Sequence, residues 1–194
     1  MEALIILLII FIYLVLFVWN KVDEKTSEYI HLKSNVDGKN YYVQKKFNDN
    51  QKACDLLAEI KTKLDSLINH LQNNFPDDIR TKRILENFDT SNLIENDSNN
   101  KFTSYTQNKG EKMYFCLRTR SKTAQLHSLN LMVFVAIHEL AHVCSISIGH
   151  SDPEFWSNFA FLLKEAVKIK VWKYKDFQKY PTKYCGMTIT NSVI

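Results

Sequence analysis

Residues Leu131-Met-Val-Phe-Val-Ala-Ile137 carry no polar side chain and run straight into His138-Glu139-Leu140-Ala141-His142. That apolar lead-in predicts a buried helix, placed at about Leu126 to Ile148. On a helix, residues four apart share a face, so both imidazoles can meet one metal ion. Glu139 lies within about a third of a turn of that face, where it can hold a water at the metal. Two ligands and one general base on a single rigid element make the pattern of a zinc-dependent peptidase.

A tetrahedral zinc takes a third protein ligand besides its water. His150 is the expected one. It follows His142 by eight residues, just past Gly149, where a chain reversal can bring it back beneath the metal. Asp152, Glu154 and Glu165 are acidic rivals, but imidazole suits zinc well. Gly149 is expected to end the helix at a position able to take positive φ. Asp152 should then cap a new helix with Pro153 at its first position, burying Phe155, Trp156, Phe159, Leu162, Leu163 and Val167. His31, His70 and His127 stand alone and are expected to be surface or core residues. The chemistry expected of the site is proton transfer by Glu139 from a zinc-acidified water to the leaving amine. Tyr184, Tyr180 and His127 are conceivable oxyanion donors. Met187 could underlie the metal, although a core methionine is the plainer role.

Around the motif the chain alternates short β-prone runs with helices, which predicts an α+β domain with a small antiparallel sheet. Tyr29–Lys33 and Tyr41–Lys45 flank Asp37-Gly38, a hairpin signal. Ala53, Leu57, Ile60, Leu64, Leu67, Ile68 and Leu71 form a helical stripe, capped by Asp49 or Asn48 and ended at Pro76. A short helix over 77–88 follows, then a polar loop over 89–101. Phe102–Thr106 and Met113–Thr119 read as a second hairpin across Asn108-Lys109-Gly110. The strand Met113–Thr119 is either a core strand or an edge that pairs with an extended peptide substrate.

Ala3 to Trp19 is uncharged and almost wholly aliphatic or aromatic. Its 17 residues would span about 26 Å as a helix, slightly short of a ~30 Å hydrocarbon core. With no basic n-region and no small-x-small cleavage pattern, it reads as an uncleaved anchor rather than a signal peptide. The expected organisation is a transmembrane anchor over 1–20, a juxtamembrane linker over 21–28, and one catalytic domain over 29–194. Lys21 and Lys25 favour a cytosolic C-terminal domain by the positive-inside rule.

Composition narrows the partners. The 194 residues carry a net charge of +4 with mixed signs, and only four arginines: Arg80, Arg83, Arg118 and Arg120. That is not the clustered basic footprint of a nucleic-acid binder, so protein or peptide is the expected substrate. Cys54, Cys116, Cys144 and Cys185 are widely spaced with no C-x-x-C, and are expected to be free thiols. The single sequon Asn96-Asp97-Ser98 does not establish a secretory route.

Residues 131–165 resemble the zincin metallopeptidases of the WLM and SprT-like families. These share His-Glu-Leu-x-His, then a histidine followed closely by an aromatic pair and a helix, here Glu154-Phe155-Trp156 after His150. The resemblance implies a minimal zincin fold, with His138, His142 and His150 as zinc ligands and Glu139 as catalytic base. The rest of the chain, including Lys109-Gly-Glu-Lys112 and Tyr184-Cys-Gly-Met-Thr188, is similar to uncharacterised membrane-anchored WLM-type proteins of large DNA viruses. The His142-to-His150 spacing is longer than is usual for WLM. Family members act in DNA–protein crosslink repair and carry DNA- or partner-binding tails, which this chain does not show. Two alternatives to a membrane-anchored zinc endopeptidase are therefore a non-catalytic zinc-stabilised module and a crosslink-repair protease.

Overall fold

A computed structural model describes residues 6, 8–14, 28–97, 99–147 and 149–194. Residues 6 and 8–14 are helical and exposed; the rest of the expected anchor and most of the linker lie outside the described residues. Among the described residues, no helix is long and apolar enough to cross a membrane. This corrects the expected single-pass membrane location, and the cytosolic orientation inferred with it.

The expected α+β class holds, but the sheet is mixed rather than antiparallel. Its order is β1-β2-β3-β5-β4, with β1 at Tyr29–Lys33, β2 at Asn40–Gln44, β3 at Leu93–Glu95, β4 at Tyr105–Gln107 and β5 at Lys112–Phe115. Both hairpins form where turn chemistry predicts them. The first turns through Gly38 at φ 70°. The second turns through Asn108, Lys109 and Gly110, all at positive φ. A side chain at Gly110 would put its Cβ 2.6 Å from the Asn87 carbonyl oxygen, so glycine is required there. Strand β3 was not expected. It is three residues long, set among Asn and Asp, and pairs in parallel with β2 and β5. It makes β5 an interior strand and leaves β4 at the edge, so Met113–Thr119 is not the edge strand.

Helix α1 (Asn50–Asn74) buries the whole predicted stripe against β1, β2 and β3. The Asp49 carboxylate does not cap it; it pairs with buried Arg118, which also holds fully buried Glu95 at 2.8 Å. Helix α2 (Ile79–Asn87) is capped by the Asp78 carboxylate, which accepts from Arg80 N at 2.8 Å. Helix α3 (Leu129–Cys144) is the molecular centre, packed by α1, α2, α4 (Pro153–Lys168) and β4. Enclosure on all sides explains why its sequence is apolar nearly all round.

The bounds of α3 differ from those expected. Residues 126–128 are extended instead and run back antiparallel to the chain just past β5, with Leu126 bridging Arg118 and His127 N bonded to Leu117 O. At the other end the helix stops at Cys144, and Gly149 does not terminate it. Two cations compete for the last carbonyls: Arg83 Nη1 takes Cys144 O at 2.8 Å, and Lys109 Nζ takes Ser145 O and Ile146 O at 2.8 and 2.7 Å. Positive charge at a helix C-terminus also complements its dipole. Helix α4 starts as expected, with Glu154 N donating to Asp152 Oδ1 at 2.8 Å.

After α4 a second hairpin sheet forms from β6 (Thr182–Tyr184) and β7 (Met187–Ile189), turning through Cys185 and Gly186 at positive φ. Cys116 and Cys185 are joined as a disulfide across 69 residues, which corrects the expectation of four free thiols. Spacing along the chain carries no information on such a pair; the fold brings the two Cα atoms to 6.4 Å. Cys54 and Cys144 are free and buried. Closing a loop of this length stabilises a fold by about 4 kcal/mol in the chain-entropy account. Reduction is therefore expected to lower the melting temperature by roughly 10 °C. Unchanged melts with and without a reductant would contradict the link.

Candidate metal centre

The three predicted ligands meet. His138 and His142 project from α3, and His150 arrives on the turn between α3 and α4. His150 Nε2 lies 3.0 Å from His138 Nε2 and 3.0 Å from His142 Nε2. Three nitrogens at about 2.1 Å around a tetrahedral zinc sit about 3.4 Å apart, so the triad has the size such an ion requires. Protons can bridge at most part of such a cluster, whereas one cation satisfies all three lone pairs. Burial and the facing imidazoles push His138 down to about 3 and His142 down to about 4. Both rings are thereby kept in the neutral form that binds metal.

Phe155, fully buried at the start of α4, is the floor of the site. Its ring stacks on His142 at 4.3 Å and meets His138 and His150 at 4.9 and 4.8 Å. His142 Nδ1 has no hydrogen-bond partner among the described residues, so this stacking is what orients that ring. Met187 does not underlie the triad; it is half exposed on β7 in the cleft wall. Trp156 departs from its expected role as a core residue. It is 40% exposed, and its Nε1 donates to His150 O at 2.8 Å, fixing the backbone that presents the third ligand.

The acidic rivals are all engaged elsewhere. Asp152 caps α4. Glu154 accepts from Arg83 and from Ile146 N at 2.8 and 2.9 Å, bracing the His150 turn from below. Glu165 faces His70 at 2.6 Å. His31 stacks on Tyr42 on the outer sheet face, and His127 is buried beside Tyr184; neither approaches the triad.

Glu139 follows His138 into the cleft and is buried. Its Oε2 accepts from Thr106 Oγ1 at 3.1 Å. Thr106 sits on edge strand β4, a role no sequence motif announced. Burial pushes the Glu139 carboxyl up to about 8, against the lowering effect of Thr106. A cation at the triad favours the carboxylate and opposes that rise. The cleft around Glu139 measures about 990 Å³ and is mostly apolar, with Phe102, Trp156 and Met187 on its rim and Lys101, Lys109 and Arg120 as its cations. Tyr184 lies in its wall, whereas Tyr180 is exposed and outside it.

Residues 37–193 match the WLM domain, and the chain belongs to the WLM family. That is the metalloprotease-type family its helix motif resembles. The chain is 32% identical over 192 residues to uncharacterized protein R325 of Acanthamoeba polyphaga mimivirus, covering 97% of this chain and 94% of that one. Its fold is similar to the crystal structure of Wss1 from Saccharomyces cerevisiae, with a TM-score of 0.50 and 22% identity over 66% of this chain and 86% of that chain. A Wss1 mutant structure matches with the same TM-score and identity over 87% of its chain.

Two outcomes follow from this geometry. Trp156→Phe keeps an aromatic ring but removes the bond to His150 O, and should weaken zinc binding by about tenfold or more, read by competition with a chelating dye. In the metal-free protein, folded His138 and His142 refuse protons that the unfolded chain takes below about pH 6.5. Stability should therefore fall as pH drops from about 6.5 towards 4. Glu139, whose folded pKa is raised, acts oppositely between about 4.5 and 8, and two histidines outweigh one carboxylate. Urea midpoints that stay level or rise on acidification would refute this balance.

Proposed function

We propose that this chain is a zinc-dependent endopeptidase that hydrolyses protein or peptide substrates, with His138, His142 and His150 holding the metal and Glu139 as the general base. The supporting observation is the convergence of three imidazoles beside a buried carboxylate that opens onto a large cleft. Zinc bound there would supply Lewis acidity, polarising the scissile carbonyl and acidifying a water.

Glu139 takes a proton from the attacking water as its oxygen adds to the carbonyl carbon. The carboxyl then delivers that proton to the amide nitrogen as the C–N bond breaks. Thr106 keeps the carboxylate aimed throughout. Edge strand β4 pairs only with β5 among the described residues, so its free side can accept an extended peptide as an added strand. The apolar rim favours bulky apolar side chains next to the scissile bond, because burying them removes apolar area from water on both partners. A non-catalytic zinc module has no use for a buried carboxylate beside its ligands, and that weighs against it.

Glu139→Gln preserves shape and the Thr106 contact but removes the base. Turnover of casein by the zinc-loaded full chain should fall by about 10² to 10⁴-fold with zinc content unchanged. His150→Ala should lose both zinc and activity. Equal turnover by Glu139→Gln and the unaltered protein would refute the assignment.

A further inference from the structure

The wall of the cleft holds a buried phenol that the chemistry above leaves unused. Tyr184 ends β6, is only 3% exposed, and lines the cleft together with Glu139 and the three histidines. Its hydroxyl lies 2.5 Å from Ser104 Oγ, and Ser104 Oγ accepts from Cys116 N at 3.1 Å. Ser104 and Thr106 are two residues apart, so their Cα atoms are separated by at most about 7 Å. The hydroxyl of Thr106 holds the base and that of Ser104 holds the phenol. Carboxylate and phenol thus both face the same cleft, each held by a hydroxyl from one short segment of chain.

The phenol is also anchored. Cys185, the next residue, is disulfide-bonded to Cys116, whose own N–H holds Ser104. Ser104, Cys116, Cys185 and Tyr184 therefore close into one ring of covalent and hydrogen bonds that runs through the Tyr184 side chain. Burial raises the phenol's pKa, so it arrives protonated, as a donor.

Building on the peptidase reading, we propose that Tyr184 is a catalytic residue whose hydroxyl donates a hydrogen bond to the scissile carbonyl oxygen as negative charge develops there. Ser104 is its positioning residue. Ser104 Oγ has two lone pairs and one proton, so while it accepts from Cys116 N–H it can still donate to Tyr184 Oη; in that direction the phenolic proton is left for the substrate. Each bond in such a relay strengthens the next. A donor fixed before the reaction needs no reorganisation as the oxyanion forms, and removing one such donor elsewhere costs about 10² to 10³ in kcat.

The test uses zinc-loaded full chain and casein. Tyr184→Phe, which removes one oxygen, should lower kcat by about 10² to 10³-fold. KM should stay within about twofold, with zinc content and melting temperature close to the unaltered protein. Ser104→Ala should lower kcat by a smaller factor, and Ser104→Thr should restore it. A Tyr184→Phe variant with unchanged kcat, or one whose loss is confined to KM or tracks lost zinc, overturns the catalytic role while leaving the peptidase reading intact. Unchanged kcat in Ser104→Ala overturns the positioning role. An unaltered chain that binds zinc and cleaves nothing overturns both readings.

Discussion

The site depends on the enclosure of α3. That helix carries two imidazoles and a carboxylate into an interior packed by three other helices and an edge strand. Burial of this kind disfavours charge on every one of these groups, lowering the histidines and raising the glutamate. It also makes the rings good ligands, because neutral imidazole is the form that binds. The same apolar packing that stabilises the helix thus disfavours protons on both of its imidazoles.

Enclosure alone leaves the third imidazole unplaced. His150 stands on a turn that begins where α3 is cut short, and the cut is electrostatic. Arg83 and Lys109 satisfy the terminal carbonyls, Glu154 links Arg83 to Ile146 N, and Trp156 ties down the His150 carbonyl. Lys109 can reach because three successive residues of the β4–β5 turn adopt positive φ, the last of them a glycine with no room for a side chain. A turn forty residues away in sequence therefore braces the segment that carries His150.

The opposite wall is built differently. The β6–β7 hairpin has little core of its own and is joined to the main sheet through Cys116–Cys185. The end of β6 carries Tyr184 into the cleft wall, and hydroxyls from β4 (Thr106) and the residue just before it (Ser104) hold the carboxylate and the phenol. Cleft and carboxylate are thus both referenced to β4, which lies at the edge of the sheet and lines the cleft.

Much of this was legible along the chain, because local rules govern it. The motif helix, the stripe of α1, the Asp152 cap with Pro153, and both turns rest on periodicity or on residues with fixed backbone preferences. His138, Glu139 and His142 lie on one helix, so their spacing alone determines that they share a face. Membership of the three-histidine set extended to His150 because a chain break so near in sequence leaves few places for it to go. What stayed hidden was non-local. Strand β3 is three residues with no pattern of their own, and it exists because β2 and β5 offer hydrogen bonds on either side. The Cys116–Cys185 bond, the exchange of Trp156 from core to His150 support, the Phe155 floor and the Thr106 contact all join residues brought together only by packing. Sequence by itself determined the chemistry available to this protein, since residue type and helical spacing are local properties. Tertiary structure decided which groups aim at which, because aim depends on neighbours that the order of residues does not specify.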